Sequence, residues 1–530
     1  MGDRRPNIFV FMLDTIRVDR VRGLGAAGEP GNFLEKVIHC GSLLADFVVA
    51  GNSTRISLNA LFNGFYGGTS GLNYHYGCDA DFRSTQVISL AELLRFHGYR
   101  TIGVSQGDVY LPLWGFDRFQ TFEGDFDLEV IRREIDASDR PVFGYLHFSN
   151  LHDLAFGSPE RMTPECYDRH LELLAAELEQ AWAHLVGDDD VVVVVSDHGC
   201  NLRESLDPDW RFFREEEPTG GIFLGQATIR GICSIIGAGR FPMRRLDGVT
   251  RSIDVMPTLL DGLGIPRPAV QGRSLWPALC GEAAMPQLDA FSEAGGVRLA
   301  DGQAICRSLQ DGRFKYNRYE IYGEQLFDLA SAPDEPASLA GQGLAEEARL
   351  RAACAAQAAD NARGTTPWYG QTAGLVADVL AARPPWPEIQ HGTRESCFKG
   401  LIDDAVRDYL SRHVAQQVPR WRAAGERILL YSASEHAAAC LDALPPQGRG
   451  LLAGVVDANP RLAGGTWQGL PVFSPGRLEA LSEATLLIVA HHFFAHDMYA
   501  RIKELRRTPI RVVNLYRLDR EIPLWWDRDG

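Results

Sequence analysis

Three short groups of acidic and histidine residues stand at the ends of apolar runs. The groups accompany the runs NIFVFML, PVFGYLHF and VVVVVS, and they are Asp14 with Thr15, His147 with His152, and Asp197 with His198. Carboxylates and imidazoles are common ligands of divalent cations. The carboxyl ends of parallel strands meet at one edge of a sheet, so the groups would converge if the runs are neighbouring strands. The sequence therefore predicts a site for a divalent cation such as Zn²⁺ or Mn²⁺.

Two adjacent hydroxyl residues, Ser53 and Thr54, precede an amphipathic pattern that stops near Gly64. Either residue could simply cap the helix. A hydroxyl at that point also meets the positive end of the helix dipole, which favours a bound anion. Coordination to a cation would lower the hydroxyl pKa and make it a usable nucleophile. The residues alone leave both roles open.

The elements that would position these groups follow from the apolar pattern. The runs do not alternate and are rich in Val, Ile and Phe, which is typical of central strands covered on both faces. Helical spacing occupies the intervals between them. The predicted strands are 7–13, 141–148, 192–196 and 230–237, and the clearest predicted helices are 87–97 and 168–185. We therefore expect an α/β fold with a mostly parallel sheet flanked by helices.

Composition narrows the classes of function. The chain has 530 residues, is 45% hydrophobic and 23% charged, and carries a formal net charge of −16. This charge argues against a nucleic-acid partner, although an acidic chain can still hold a basic pocket. The apolar run near the N-terminus is too short for a signal peptide, and no run approaches the roughly 20 residues of a membrane span. Ten cysteines without CxxC spacing fit reduced thiols, so we expect a cytoplasmic protein.

The pattern divides the chain into three parts. Residues 1–350 hold the groups described above, and residues 351–398, rich in Gly, Pro and Thr, are expected to form a linker with a short helix. Residues 399–530 alternate helices and short strands, which predicts a smaller Rossmann-like α/β domain.

The groups and two later segments resemble the sulfatase and alkaline-phosphatase superfamily. The opening NIFVFMLDTIRVDRV resembles its first metal motif, and SDHG resembles its second. TRSIDVMPTLLDGLGIPRPAVQGRSLWPAL (250–279) and FKYNRYEIYGEQLFDLASAPDE (314–335) resemble two late segments. The likeness covers roughly residues 5–345, and the four motifs occur in the family's order. It implies an alkaline-phosphatase-like catalytic domain.

The resemblance also sets a register for the nucleophile. The sulfatase pattern C-x-P-S-R-x-x-L-x-T-G, counted back from Leu61 and Gly64, reaches Thr54. The lipid A phosphoethanolamine transferases give the same register, whereas the GNSEVGH motif of cofactor-independent phosphoglycerate mutases would select Ser53. Sulfatases require Cys or Ser at this position for conversion to formylglycine. Thr54 therefore favours the phosphodiesterase and phosphotransferase branch of the superfamily.

The site that the resemblance implies has three parts. A single divalent cation, Zn or Mn with Ca or Mg as alternatives, would be held by Asp14, Thr54, Asp197 and His198. Thr54 would be the nucleophile, with His147 and His152 contacting substrate or serving as acid and base. The residues expected to grip the anionic group are Asn52, Ser53, Arg55, Asn201 and Arg203.

Three hypotheses for function follow. The first is a metal-dependent hydrolase or transferase that acts on phosphate esters, most simply diesters, through a covalent Thr54 intermediate. The second is a sulfatase that uses Ser53 as its formylglycine precursor. The third is a catalytically silent family member that binds an anion. The expected partner is a small anionic ester or a glycan- or nucleotide-linked substrate. The sequence leaves the oligomeric state open.

Overall fold

The computed structural model describes most of the chain, in several stretches. These are residues 5–71, 87–106, 111, 114–122, 125–149, 151–152, 163–202, 224–237, 239–294, 306–319, 323–384, 389–391, 404–433, 435–457, 462–480, 485–489, 502 and 511–514. The chain divides into two compact units. The larger spans Met1–Gly296 and Ala304–Ser396, and the smaller lies mainly within Cys397–Gly530.

The strands of the larger unit form two sheets. They are β1 (Ile8–Leu13), β2 (Ser42–Val48), β3 (Arg100–Gln106), β4 (Arg118–Phe122), β5 (Val142–Phe148), β6 (Val191–Ser196), β7 (Cys233–Gly237), β8 (Arg244–Arg251), β9 (Ala290–Glu293), β10 (Cys306–Gln310), β11 (Phe314–Tyr319), β12 (Gly323–Asp328) and β13 (Ile389–His391). The large sheet has the order β13-β4-β3-β5-β1-β6-β7-β2-β8, and β12-β11-β10-β9 form an antiparallel sheet.

The large sheet is parallel except at β7, which runs antiparallel to β6 and β2. Strand β1 lies between β5 and β6 and is parallel to both. Every residue of these three strands is buried, because both faces of the sheet are covered. The expected α/β fold with a mostly parallel, helix-flanked sheet is confirmed.

The helices of the larger unit cover the large sheet and connect its strands. They are α1 (Phe33–Val37), α2 (Thr54–Asn63), α3 (Gly67–Ser70), α4 (Leu90–Phe96), α5 (Leu128–Asp136), α6 (Pro164–Leu185), α7 (Gln226–Ile229), α8 (Val255–Gly262), α9 (Trp276–Leu279), α10 (Ala345–Asn361), α11 (Thr366–Tyr369) and α12 (Ala373–Ala381), with 3-10 turns at Val18–Arg20, Ser252–Asp254 and Gly370–Thr372. Thr163 precedes α6 and caps it, because its side chain accepts a hydrogen bond from the backbone N–H of Cys166. Pro164 occupies the first turn of the helix.

The segment expected as a linker at 351–398 differs from that expectation. Its described part lies mostly in α10, α11 and α12 and packs on the larger unit. Leu350 and Cys354 of α10 join a core cluster with Leu309 and Tyr316 of the small sheet. Beyond α12, Arg383 forms a 2.6 Å ion pair with Glu92 of α4. Small Ala and Leu side chains in this segment allow regular helices, and the contacts that hold them come from residues far away in sequence.

The smaller unit is a second α/β assembly. Its elements are α13 (Asp404–Ala423), β14 (Arg427–Tyr431), α14 (Glu435–Ala443), α15 (Pro446–Arg449), β15 (Leu452–Val456), β16 (Thr466–Trp467), β17 (Leu470–Phe473), a 3-10 turn (Pro475–Ala480), β18 (Thr485–Val489) and β19 (Arg511–Asn514). The parallel strands follow the order β17-β15-β14-β18-β19. This 3-2-1-4-5 order is that of doubly wound α/β units.

None of the helices in the described part of the chain combines the length and the apolar character needed to span a membrane.

Candidate active site

Asp14, Asp197 and His198 meet at the carboxyl edge of the large sheet. Asp14 follows β1, and Asp197 and His198 follow β6. The register pairs Leu13 with Ser196, so the residues that follow these two strands emerge side by side. All three side chains are about 1% exposed. The topology thus brings together residues more than 180 positions apart.

The three residues fit a cation, because their ligand atoms all lie within 4.8 Å of one another. His198 Nε2 lies 3.8 Å from Asp14 Oδ1 and 3.4 Å from Asp197 Oδ2. Both of these carboxylate oxygens are buried, and no hydrogen-bond partner for them lies in the described part of the chain. His198 Nδ1 donates to the carbonyl oxygen of Gly199 at 2.7 Å, because a carbonyl can only accept. In the neutral imidazole this leaves the Nε2 lone pair directed at the cluster, as a metal ligand requires.

The two carboxylates influence each other's charge. Burial alone would raise the pKa of Asp14, but the charge of His152, the hydrogen bond from His147 and the charge of His198 together hold that pKa well below its usual range. Burial and the negative charge of Asp14 raise the pKa of Asp197. Two buried carboxylates this close disfavour a second negative charge. A divalent cation would remove that conflict by allowing both groups to ionise.

Thr54 begins α2 beside this cluster. Its Oγ1 lies 3.2 Å from His198 Nε2, and the residue is 1% exposed. Ser53 is the residue that precedes the helix, yet its side chain makes no capping hydrogen bond. Ser53 Oγ is buried, and none of the residues that the structure describes forms a hydrogen bond with it. Helix geometry leaves the first N–H groups of α2 without intrahelical acceptors, so the start of this helix offers donors to an anion.

The two predicted histidines occupy different positions. His147, on β5, has its Nε2 3.1 Å from Asp14 Oδ2 and is 1% exposed. This contact places His147 against a candidate metal ligand. His152 is 9% exposed and is a principal source of the charge that lowers the pKa of Asp14. His152 is therefore the better placed of the two to meet a substrate.

Four predicted residues remain: Asn52, Arg55, Asn201 and Arg203. Asn52, Arg55 and Asn201 are all buried, with exposures of 3%, 8% and 6%. Asn201 follows the His198 turn, and its Nδ2 has no hydrogen-bond partner among the described residues. Arg203 lies outside the described residues.

Thr15 is a feature of the site that sequence reasoning did not assign a role. Its φ is 59°, in the left-handed region that β-branched residues rarely adopt, at a cost of about 1–3 kcal/mol. Its backbone N–H donates to Asp197 Oδ1 at 3.2 Å, and its Oγ1 is buried without a partner. The conformation depends on tertiary contacts, which no local pattern in the sequence reports.

Residues 6–265 match the family model described as Sulfatase. This region contains every site residue described above. The larger unit therefore carries a sulfatase-family domain. The resemblance of the motifs to the sulfatase and alkaline-phosphatase superfamily is thereby confirmed.

One curated sulfatase is similar over a short stretch, and two solved structures share the fold. Arylsulfatase K of Xenopus laevis is 32% identical over 120 residues, which cover 20% of this chain and 22% of the relative. This chain thus matches about a fifth of that relative's length. A 2-O GAG sulfatase has a similar fold, with a TM-score of 0.54, 18% identity and coverage of 68% of this chain and 94% of that one. A phosphonate monoester hydrolase of Agrobacterium radiobacter also has a similar fold, with a TM-score of 0.50 and 17% identity. The match covers 67% of this chain and 95% of that one.

The late motif at 250–279 has a structural role in the sulfatase-family domain. Asp254 is fully buried, pairs with Arg251 at 2.7 Å and accepts a hydrogen bond from the backbone N–H of Arg273 at 2.8 Å. Thr258 Oγ1 donates to the carbonyl of Asp254 and accepts from the N–H of Leu275. Through these hydrogen bonds the two side chains satisfy backbone groups of the same segment.

Proposed function

We propose that the sulfatase-family domain catalyses metal-dependent hydrolysis or transfer of phosphate esters, with Thr54 as the covalent nucleophile. The observation that carries this proposal is the 3.2 Å approach of Thr54 Oγ1 to His198 Nε2, within the cluster of Asp14, Asp197 and His198. A divalent cation held by these residues would supply positive charge for the ester oxygens and lower the hydroxyl pKa of Thr54. Zn²⁺ and Mn²⁺ suit this mixed oxygen and nitrogen ligand set.

The chemistry divides among the residues of the chain. Thr54 Oγ1, after releasing its hydroxyl proton to solvent, forms a bond to phosphorus while the bond to the leaving oxygen breaks. His152 donates a proton to that oxygen, and the first N–H groups of α2 with the Ser53 hydroxyl stabilise the charge on the non-bridging oxygens. Water or an acceptor alcohol then attacks phosphorus and gives its proton to His152, while the bond from phosphorus to Thr54 Oγ1 breaks. His147, which contacts Asp14 at 3.1 Å, orients that carboxylate.

The choice of phosphate over sulfate rests on the residue type at position 54. A formylglycine requires a primary alcohol or thiol as precursor, and threonine has neither. The named structural neighbours include both sulfatases and phosphonate monoester hydrolases, so the fold accommodates either ester. The substrate we propose is therefore a small anionic phosphate or phosphonate ester, including glycan- or nucleotide-linked ones.

The test compares two hydroxyl deletions in the full-length protein. Thr54→Val keeps the size of the side chain and removes the nucleophile, and we expect turnover of bis-p-nitrophenyl phosphate with Mn²⁺ or Zn²⁺ to fall by about 10³-fold or more. Ser53→Ala is the comparison variant: it removes one donor to the non-bridging oxygens and keeps the nucleophile, so turnover should fall by only about 10²-fold. Rapid quenching and peptide mass spectrometry should find the phosphoryl adduct on Thr54. Equal turnover of Thr54→Val and wild type would sink the proposal.

A sulfatase using Ser53 is the second candidate, because the Ser53 hydroxyl is buried without a partner and the relatives named above include sulfatases. It predicts a loss of two hydrogens from Ser53 in mass spectra and hydrolysis of p-nitrophenyl sulfate. An unmodified Ser53 together with turnover of the phosphate ester would exclude it.

A catalytically silent anion-binding member is the third candidate. It requires that the purified protein binds sulfate or phosphate while hydrolysing neither class of ester. Metal content, measured on the same preparation by mass spectrometry, separates an empty cation site from an occupied but inactive one.

We also propose that the smaller unit is an accessory module and that the protein acts in the cytoplasm.

A further inference from the structure

The left-handed turn after Asp14 is held by a side chain from outside the cation cluster. Tyr167, on α6, is fully buried, and its hydroxyl donates to the carbonyl oxygen of Thr15 at 3.0 Å. The same hydroxyl accepts the backbone N–H of Arg17 at 2.7 Å. One phenol oxygen thus binds the carbonyl of the residue of positive φ and the N–H two residues further on, on either side of Ile16.

The turn that Tyr167 holds is coupled to the second carboxylate. Thr15, the residue in the left-handed conformation, donates its backbone N–H to Asp197 Oδ1 at 3.2 Å. Arg17 continues the connection, because its Nη1 donates to the carbonyl oxygen of Cys200 at 3.0 Å, three residues beyond Asp197. The turn after β1 and the turn after β6 are therefore fixed to each other.

We propose that the Tyr167 hydroxyl is a positioning group for the Asp14 and Asp197 carboxylates. Without it, Thr15 would gain free energy by leaving the left-handed region, and the bond from its N–H to Asp197 would be lost. Burial raises the pKa of Tyr167 well above its ordinary value, so the hydroxyl keeps the proton that it donates. This role rests on the cation site of the proposed function and adds a residue that touches neither cation nor substrate.

The test measures cation affinity of the full-length, metal-stripped protein by titration calorimetry with Mn²⁺ and Zn²⁺. Tyr167→Phe keeps the buried ring and should weaken binding by about 10–100-fold, the usual effect of losing an outer hydrogen bond at a metal site. Tyr99→Phe is the matched control, because Tyr99 is also fully buried and its hydroxyl has no hydrogen-bond partner. The control should bind both cations like the wild type.

A rescue experiment separates positioning from a general loss of stability. Glycine adopts a positive φ without strain, so Thr15→Gly removes the need for the restraint. In the Thr15→Gly background, the further change Tyr167→Phe should alter cation affinity by no more than about twofold, whereas a merely structural role would give the same loss in both backgrounds.

The outcomes distinguish the two proposals. Wild-type affinity in folded Tyr167→Phe overturns the positioning role and leaves the cation site intact. An undiminished loss in the Thr15→Gly background also overturns it. A wild-type protein that binds neither cation refutes the proposed site, and the positioning role with it.

Discussion

His198 shows how one backbone contact prepares a side chain for chemistry. Its Nδ1 is committed to the Gly199 carbonyl, so only Nε2 faces Thr54 and the two carboxylates. The ring orientation therefore depends on the position of the Gly199 carbonyl. Gly199 is held on its other side by its N–H, which donates to the carbonyl oxygen of Thr228 at 2.9 Å.

We expect Asp197→Asn to weaken binding of Mn²⁺ or Zn²⁺ by more than about 100-fold, because it removes a charged candidate ligand and not an outer partner. Asp190→Asn is a suitable control. Asp190 precedes β6 at its other end, where its carboxylate accepts the N–H of Gly187 at 2.8 Å. Calorimetric titration of both variants checks this, and equal affinities would remove Asp197 from the site.

Gly199→Ala should damage the same site by steric means. A Cβ at this position would lie 2.1 Å from the carbonyl oxygen of Ala227, a backbone atom that cannot move aside alone. We expect a loss of about 1–3 kcal/mol in the free energy of unfolding, with weaker cation binding. Gly370→Ala, with open space around its Cβ, should change neither. Thermal unfolding and cation titration of the two variants test this. Wild-type stability and affinity in Gly199→Ala would contradict it.

The sequence predicted the cation cluster because parallel strands align their carboxyl ends, so Asp14, Asp197 and His198 needed only the strand assignment. It did not predict that His147 contacts Asp14, since this depends on which side chains of β5 and β1 share a face. Tyr167 gave no signal, because its partners are backbone atoms of a distant turn.

At the scale of elements, the N-terminal cap of α1 contains a carboxylate whose charge depends on pH. Asn32 and Glu35 cap this short helix reciprocally, and the Glu35 carboxylate also accepts the N–H groups of Arg22 and Gly31. Burial would raise the pKa of Glu35, but the hydrogen bonds from Arg22, Gly31 and Asn32 lower it overall.

This lowered pKa predicts a pH-dependent effect of Glu35→Gln. Stabilisation by the carboxylate is complete above its unfolded pKa of about 4.3 and is lost as pH falls through the lower folded value. The variant should thus be less stable than wild type at pH 7, and the difference should shrink below about pH 4. Thermal midpoints at both pH values test this, with exposed Glu29→Gln as control. A difference that grows on acidification would contradict it.

Strands β1, β5, β6 and β7 and helices α4 and α6 could be predicted, because apolar runs and helical spacing are local signals. The segment 351–398 shows where such signals end. Its Gly and Pro residues indicated a linker, but α10 contributes Leu350 and Cys354 to a core completed by the small sheet. Burial against distant residues decided the structure there.

At the scale of the whole molecule, the two units have separate cores. One cluster centres on β1, β5, β6 and α6, and another on α13, β14, β15 and β18. A cation that binds only the folded larger unit stabilises that unit alone, by about 2.7 kcal/mol at a concentration of 100 times the Kd.

Differential scanning calorimetry should therefore show two transitions, and Mn²⁺ or Zn²⁺ should raise only one of their temperatures. Asp197→Asn should abolish the shift without moving the other transition. A cation that shifts both transitions equally in the wild type would show that the units unfold together.

The pairing of Leu13 with Ser196 also has a consequence for synthesis of the protein on the ribosome. Asp14 leaves the exit tunnel before Asp197 and His198, which follow only after more than 180 further residues have been added. Until then no translation intermediate holds more than one of the three candidate ligands. A cation at the proposed site would therefore be captured late, after docking of β6 onto β1 in the newly made chain.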